Sequence, residues 1–124
     1  MKSAKPSDWK IEVLPSKRTN ISLNLAFSEK EMQRIHKGLI PKQMEEKWFI
    51  YWKDDALFFH RSWTGFCIYI VRFTKDDSSY KMFEADVNRD PKQYNETSDD
   101  RDAKMISYLI KVLLLQEEGD FPSD

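Results

Sequence analysis

Apolar and polar residues alternate through Ile21, Ser22, Leu23, Asn24, Leu25 and Phe27, the period of two that marks a half-buried strand. The period then changes. Met32, Ile35 and Leu39 recur at helical spacing, Ser28 followed by Glu31 matches a capping box, and Gly38 with Pro41 supplies a stop, so a helix is expected over Glu29–Lys37. The next stretch, Lys47 to Phe73, is apolar almost throughout, and turn signals cut it only at Asp54-Asp55 and near Thr64-Gly65. Strands are expected over Trp48–Trp52, Ala56–Trp63 and Phe66–Phe73, with Asp54-Asp55 as a two-residue turn.

That turn sets a register in which Lys53 faces Ala56, Trp52 faces Leu57, Ile50 faces Phe59 and Trp48 faces Arg61. One side of the hairpin then carries Trp48, Ile50, Trp52, Leu57, Phe59 and Arg61, and the other Phe49, Tyr51, Phe58 and His60. Both sides are apolar, so both need cover, from helices on one and from a helix, another sheet or another subunit on the other.

After a polar turn at Lys75–Ser79, Tyr80–Val87 reads as a fourth strand, placed near an edge by Lys81, Glu84 and Asp86. A polar loop from Asn88 to Asp102 contains Pro91, which forbids regular pairing. Thr97 or Ser98 caps a final helix that runs to about Gln116, with Asp99, Asp100 and Asp102 at its positive end and Gly119 and Pro122 beyond it. Its apolar residues cover more than one stripe, which points to a homodimer through Ala103–Leu115. The fold class is α+β: an antiparallel meander of four to six strands flanked by two helices, the second long and C-terminal. Residues 1–20 are expected to be loosely ordered, with a short edge strand at Trp9–Leu14 between Pro6 and Pro15. Residues 21–118 form the single domain, and residues 119–124 a flexible tail.

Composition narrows the classes. The chain has 124 residues, 40% apolar, 33% charged and 14% aromatic, which suits one compact domain with a ring-rich core. Its 20 basic and 21 acidic residues leave a net charge of −1, so no overall field recruits nucleic acid or anionic lipid, and neither is expected as a partner. One Cys excludes an internal disulfide, the Met1-Lys2-Ser3 start lacks a secretory apolar stretch, and no run is long enough to span a bilayer; a cytoplasmic setting is expected.

The polar run His60-Arg61-Ser62-Trp63-Thr64-Gly65 offers an imidazole, a guanidinium, two hydroxyls and an indole at a turn between apolar strands. Such a set can hold a phosphate or carboxylate on the Arg fork while Trp63 stacks on a ring. A plain hairpin turn, with Arg61 lying on Trp48, accounts for the same residues. Arg89 in Asn88-Arg89-Asp90-Pro91 joins that anion site if the strand ends meet; otherwise the segment is ordinary turn chemistry. Asp99, Asp100 and Asp102 are explained by helix capping more simply than by a cation, and two His with one Cys give no zinc spacing. Cys67 reads as a small core residue, although His60 lies across the turn from it, and His36 as a surface residue. No metal or cofactor is called for.

The run KWFIYWKDDALFFHRSWTGFCIYIVRF followed by ADVNRDPKQYNETSDDRDAKMISYLIKVLLL, most distinctively HRSWTG and VNRDP, resembles a small bacterial domain family of uncharacterised function. Similar segments stand alone or beside domains of the ADP-ribosylglycohydrolase or macro type. The resemblance implies neither fold nor residue roles, but it implies a ligand class, ADP-ribose or a related nucleotide. The combined expectation is a non-catalytic binding or accessory module for a small anionic ligand or a protein partner, with His60, Arg61, Ser62, Trp63, Thr64 and Arg89 as the ligand-binding set. The alternatives are a small enzyme on a nucleotide or ADP-ribosyl substrate, with His60 as acid or base, and a purely structural domain.

Overall fold

The computed structural model describes residues 3–43, 45–77, 79–119 and 121–122. Part of the tail expected over 119–124 lies outside the described residues. Five strands, β1 (Arg18–Ser28), β2 (Trp48–Lys53), β3 (Ala56–Arg61), β4 (Cys67–Asp76) and β5 (Ser79–Asn88), form one antiparallel sheet in the order β1-β5-β4-β3-β2. Helix α1 (Glu29–Ile35) follows β1, and helix α2 (Asp99–Leu109) continues through a wider π turn at Ile110–Leu114. This is the α+β meander with a long C-terminal helix. No helix among the described residues is long and apolar enough to cross a membrane.

Local chemistry accounts for the elements. Asp54 and Asp55 take φ of 53° and 60°, the left-handed pair of a tight hairpin turn, and the β2–β3 register is the one the turn predicts, from Lys53 opposite Ala56 to Trp48 opposite Arg61. Ser28 and Glu31 form the capping box of α1, and the Ser98 hydroxyl accepts from the Arg101 N–H at the start of α2. β5 lies one place in from the edge and is not itself an edge strand: it pairs with both β1 and β4. Glu84 and Asp86 on it are answered instead by Arg72, at 3.4 and 2.9 Å, and by Asn20.

Both helices pack on one side of the sheet. Met32 and Ile35 of α1 and Ile106, Leu109, Ile110 and Leu114 of the C-terminal helix meet Trp48, Ile50, Leu57, Phe59, Tyr69, Val71 and Val87 in the main core. The other side is divided. Over β4 and β5 it carries the Arg72 ion pairs, while over β2 and β3 Phe49 and Tyr51 are covered by Ala4, Trp9 and Ile40. The cover expected from a further helix, sheet or subunit is supplied there by the chain's own N-terminal segment. The Trp9 ring lies 6.3 Å from Phe49 and its indole N–H donates to the Ser62 carbonyl, the Ala4 N–H donates to Lys37, and the Glu12 N–H donates to Gly65. Trp9–Leu14 forms no strand; a single 3₁₀ turn at Pro6–Asp8 precedes it.

Candidate functional site

β3 ends in His60 and Arg61, and a pleated strand sends neighbouring side chains to opposite faces. The six residues expected to act together are thereby separated. His60 sits on the face covered by the N-terminal segment, 2% exposed, stacked on Tyr51 with centroids 5.5 Å apart. Its Nδ1 lies 2.9 Å from the Gly65 carbonyl oxygen, which can only accept, so Nδ1 bears the proton and Nε2 is the bare nitrogen, buried with no partner among the described residues. Burial holds His60 below the usual imidazole range despite that bond. Cys67, opposite His60 in the register, is 1% exposed, and burial pushes its thiol up to about 12. At neutral pH the thiol therefore keeps its proton, and burial withholds both groups from solvent.

Ser62 and Thr64 serve the turn. The Ser62 hydroxyl donates to the Glu46 carbonyl, and the Thr64 hydroxyl accepts from the Phe66 N–H. Gly65, at φ 82°, directs its N–H to Arg61 and its carbonyl to His60 and Glu12, and a Cβ there would stand 3.1 Å from the Lys10 carbonyl oxygen. Trp63 is 62% exposed at the tip.

Arg89 does not join Arg61. Its guanidinium donates to Asp99 at 2.8 Å and to Asp102, a fully buried carboxylate at the first turn of α2. Asp102 also accepts from the Tyr94 hydroxyl at 2.6 Å, and the Tyr94 and Tyr69 hydroxyls share a 2.8 Å bond. Burial raises the Asp102 carboxyl, and the Tyr94 and Arg89 donors draw it back. Burial also pushes both tyrosine hydroxyls far above their ordinary range, so they keep their protons. The Asp102 contact is the signal a reading of its carboxylate as helix capping alone misses: one carboxylate of the acidic trio is the buried counter-ion of Arg89.

Arg61 lies on the helix side of the sheet, its guanidinium 4.5 Å from the Trp48 ring centroid. Its backbone bonds to Gly65 and Phe66, but among the described residues its guanidinium has no hydrogen-bonding or ion-pair partner. It borders a cavity of about 580 Å³ between the β2–β3 end of the sheet, the Pro91–Glu96 loop and α2. Trp48, Tyr69 and Tyr94 supply rings to that cavity, Trp48 and Tyr69 stacking at 5.8 Å, and Lys47, Lys92 and Arg101 supply further cations. Among the described residues its one lining carboxylate, Glu96, is paired with Arg101 at 2.9 Å. Lys47, Arg61 and Gln93 also line an adjoining hollow of about 410 Å³ with Trp63, Thr64 and Phe66. The sequence-level set is therefore half assembled: Arg61, Trp63 and Thr64 share one groove, whereas His60, Ser62 and Arg89 are built into the fold. Lys47, Trp48, Lys92 and Tyr94 complete the groove.

No group of three or more His, Cys, Asp or Glu among the described residues is placed to hold a metal ion. Protein-family models, curated proteins and solved structures were each compared with the chain, and none matches.

Proposed function

We propose that the protein is a non-catalytic binding module that takes a small anionic ligand carrying a flat ring in the groove beside Arg61. The observation that carries this is a planar cation, oriented by Trp48 and given no anion by the fold, at the mouth of a cavity whose other cations outnumber its carboxylate. A guanidinium presents a fork that matches a phosphate or carboxylate, and ring-lined walls suit a base or other planar group. The enzyme alternative needs an acid or base at the anion site. His60 lies on the opposite face, the Tyr94 and Tyr69 hydroxyls are tied to Asp102 and to each other, and Glu96 is paired with Arg101, so the geometry favours binding over turnover.

A thermal-shift series with inorganic phosphate, mononucleotides, NAD and ADP-ribose tests this, the last two included on the resemblance of His60–Gly65 and Val87–Pro91 to the bacterial family. A ligand at a hundred times its Kd adds about 2.7 kcal/mol, a rise of several degrees for a domain of this size. The expected result is such a rise with a ring-bearing anion and its loss in Arg61→Ala. No rise with any of them overturns the reading.

Self-association through α2 is a separate proposal. The surface that supports it is smaller than an all-round apolar helix implies, because Phe121 packs on Tyr108 at 5.4 Å and Gly119 lies against Val112. A monomer mass by light scattering at tens of micromolar overturns it.

A further inference from the structure

The hollow around Arg61 does not end at Trp63. That residue lines a second hollow on its far side, about 480 Å³, with Trp9, Lys10, Pro41, Lys42 and Gln43. The two meet at one exposed indole, and among the described residues neither has a carboxylate in its lining. Glu45 and Glu46 precede Lys47 in the chain but line neither hollow. The two hollows together make a strip that sets cations on either side of one exposed ring: Arg61 and Lys47 on one side of Trp63, and Lys10 and Lys42, beside the half-buried Trp9, on the other.

We propose that this strip is a binding track for single-stranded nucleic acid, which runs from the Arg61 groove across Trp63 to Lys10 and Lys42. Cations spaced along a groove follow a phosphate backbone, and exposed rings between them stack on unpaired bases without regard to sequence. A small anion uses one hollow and leaves Lys10 and Lys42 idle; an acidic peptide offers nothing for Trp63 to stack on. The balanced total charge conceals the strip: Glu84 and Asp86 on β5 and Asp99 and Asp102 on α2 are committed to ion pairs elsewhere, and Asp8 and Glu12, which flank Trp9 and Lys10 in the chain, line neither hollow.

The proposal extends the Arg61 reading and is separable from it. Fluorescence anisotropy would follow a labelled mononucleotide, a single-stranded oligonucleotide of about eight residues and an acidic peptide of matched charge, against the full chain. The oligonucleotide is expected to bind at least about tenfold tighter than the mononucleotide, one stacked base's contribution, with log Kd changing by about 0.7 per phosphate contact for each decade of salt. Lys10→Glu with Lys42→Glu should erase that gain and leave mononucleotide affinity unchanged. Trp63→Ala should reduce it, and Trp63→Phe restore most of it, with circular dichroism confirming that each variant is folded. Oligonucleotide and mononucleotide binding alike, an unaltered gain in the double variant, or an acidic peptide bound as tightly each overturns the track. Oligonucleotide binding without mononucleotide binding sustains the track and removes the small-ligand reading.

Discussion

Arg61 closes β3 and Arg89 follows directly on β5, and the fold treats the two guanidinium groups in opposite ways. Arg89, with a side chain 16% exposed, has two carboxylates and lies in a chain of hydrogen bonds that continues through Tyr94 to Tyr69. Arg61 has a ring beneath it and a cavity beside it. Arg89 ties the Asn88 loop to the start of α2, whereas Arg61 is oriented but not neutralised. An arginine held by carboxylates is part of the scaffold; one held only by packing keeps its donors for something that arrives from solution.

The sharpest way to break the comparison is to remove Arg89. Arg89→Ala leaves Asp102 buried without its cation and should cost about 3–5 kcal/mol, read from the urea midpoint. A loss under about 1 kcal/mol would place Arg89 with Arg61 as a surface group. Tyr94→Phe deletes the hydroxyl that joins Asp102 to Tyr69 and should cost about 1–3 kcal/mol by the same measurement. Arg61→Ala should cost only about 0.5–1 kcal/mol, the worth of an exposed cation–π contact, while it abolishes the ligand-induced thermal shift. A large stability loss with ligand response intact would reverse the assignment.

The smallest expected effect concerns His60, directly beneath the Arg61 strand end. Burial holds its pKa below the ordinary 6.5, so the unfolded chain takes up a proton that the folded chain refuses. The stability it protects is complete above that value and declines as pH falls below it. His36, also lowered by burial with Asp55 opposing, contributes in the same direction. His60→Phe should flatten part of the difference between urea midpoints at about pH 7.5 and about pH 5.5. An unchanged difference assigns the slope to other groups.

Local chemistry was readable in the residues, and long-range placement was not. The Asp54-Asp55 turn and the strict alternation on either side of it fixed the β2–β3 register, and the Ser28–Glu31 and Ser98 caps fixed where the helices begin. The same alternation already assigned His60 and Arg61 to opposite faces, which argues against any site using both. Strand order left no local trace: Glu84 and Asp86 look like edge residues until Arg72 on the neighbouring strand is known to answer them. The N-terminal cover was hidden for another reason. Trp9, Ile11 and Val13 alternate as a strand would, yet Ile11 and Val13 are exposed, and the residues that anchor the segment, Ala4, Trp9 and Leu14, share no period. Arg61's lack of a counter-ion is likewise a property of what surrounds it in space.

The two hydrogen bonds between Leu39 and Ile50 have a consequence for how molecules of this protein keep apart. β2 is a terminal strand, rich in rings, and such a rim is a template on which another chain can add itself and start a fibril. The Leu39 bridge occupies the middle of that rim. It depends on Gly38, at φ 65°, where a Cβ would stand 2.1 Å from the Ile50 carbonyl oxygen. A side chain at residue 38 would therefore pry the guard from the rim, and its damage would be seen first as turbidity in a concentrated sample.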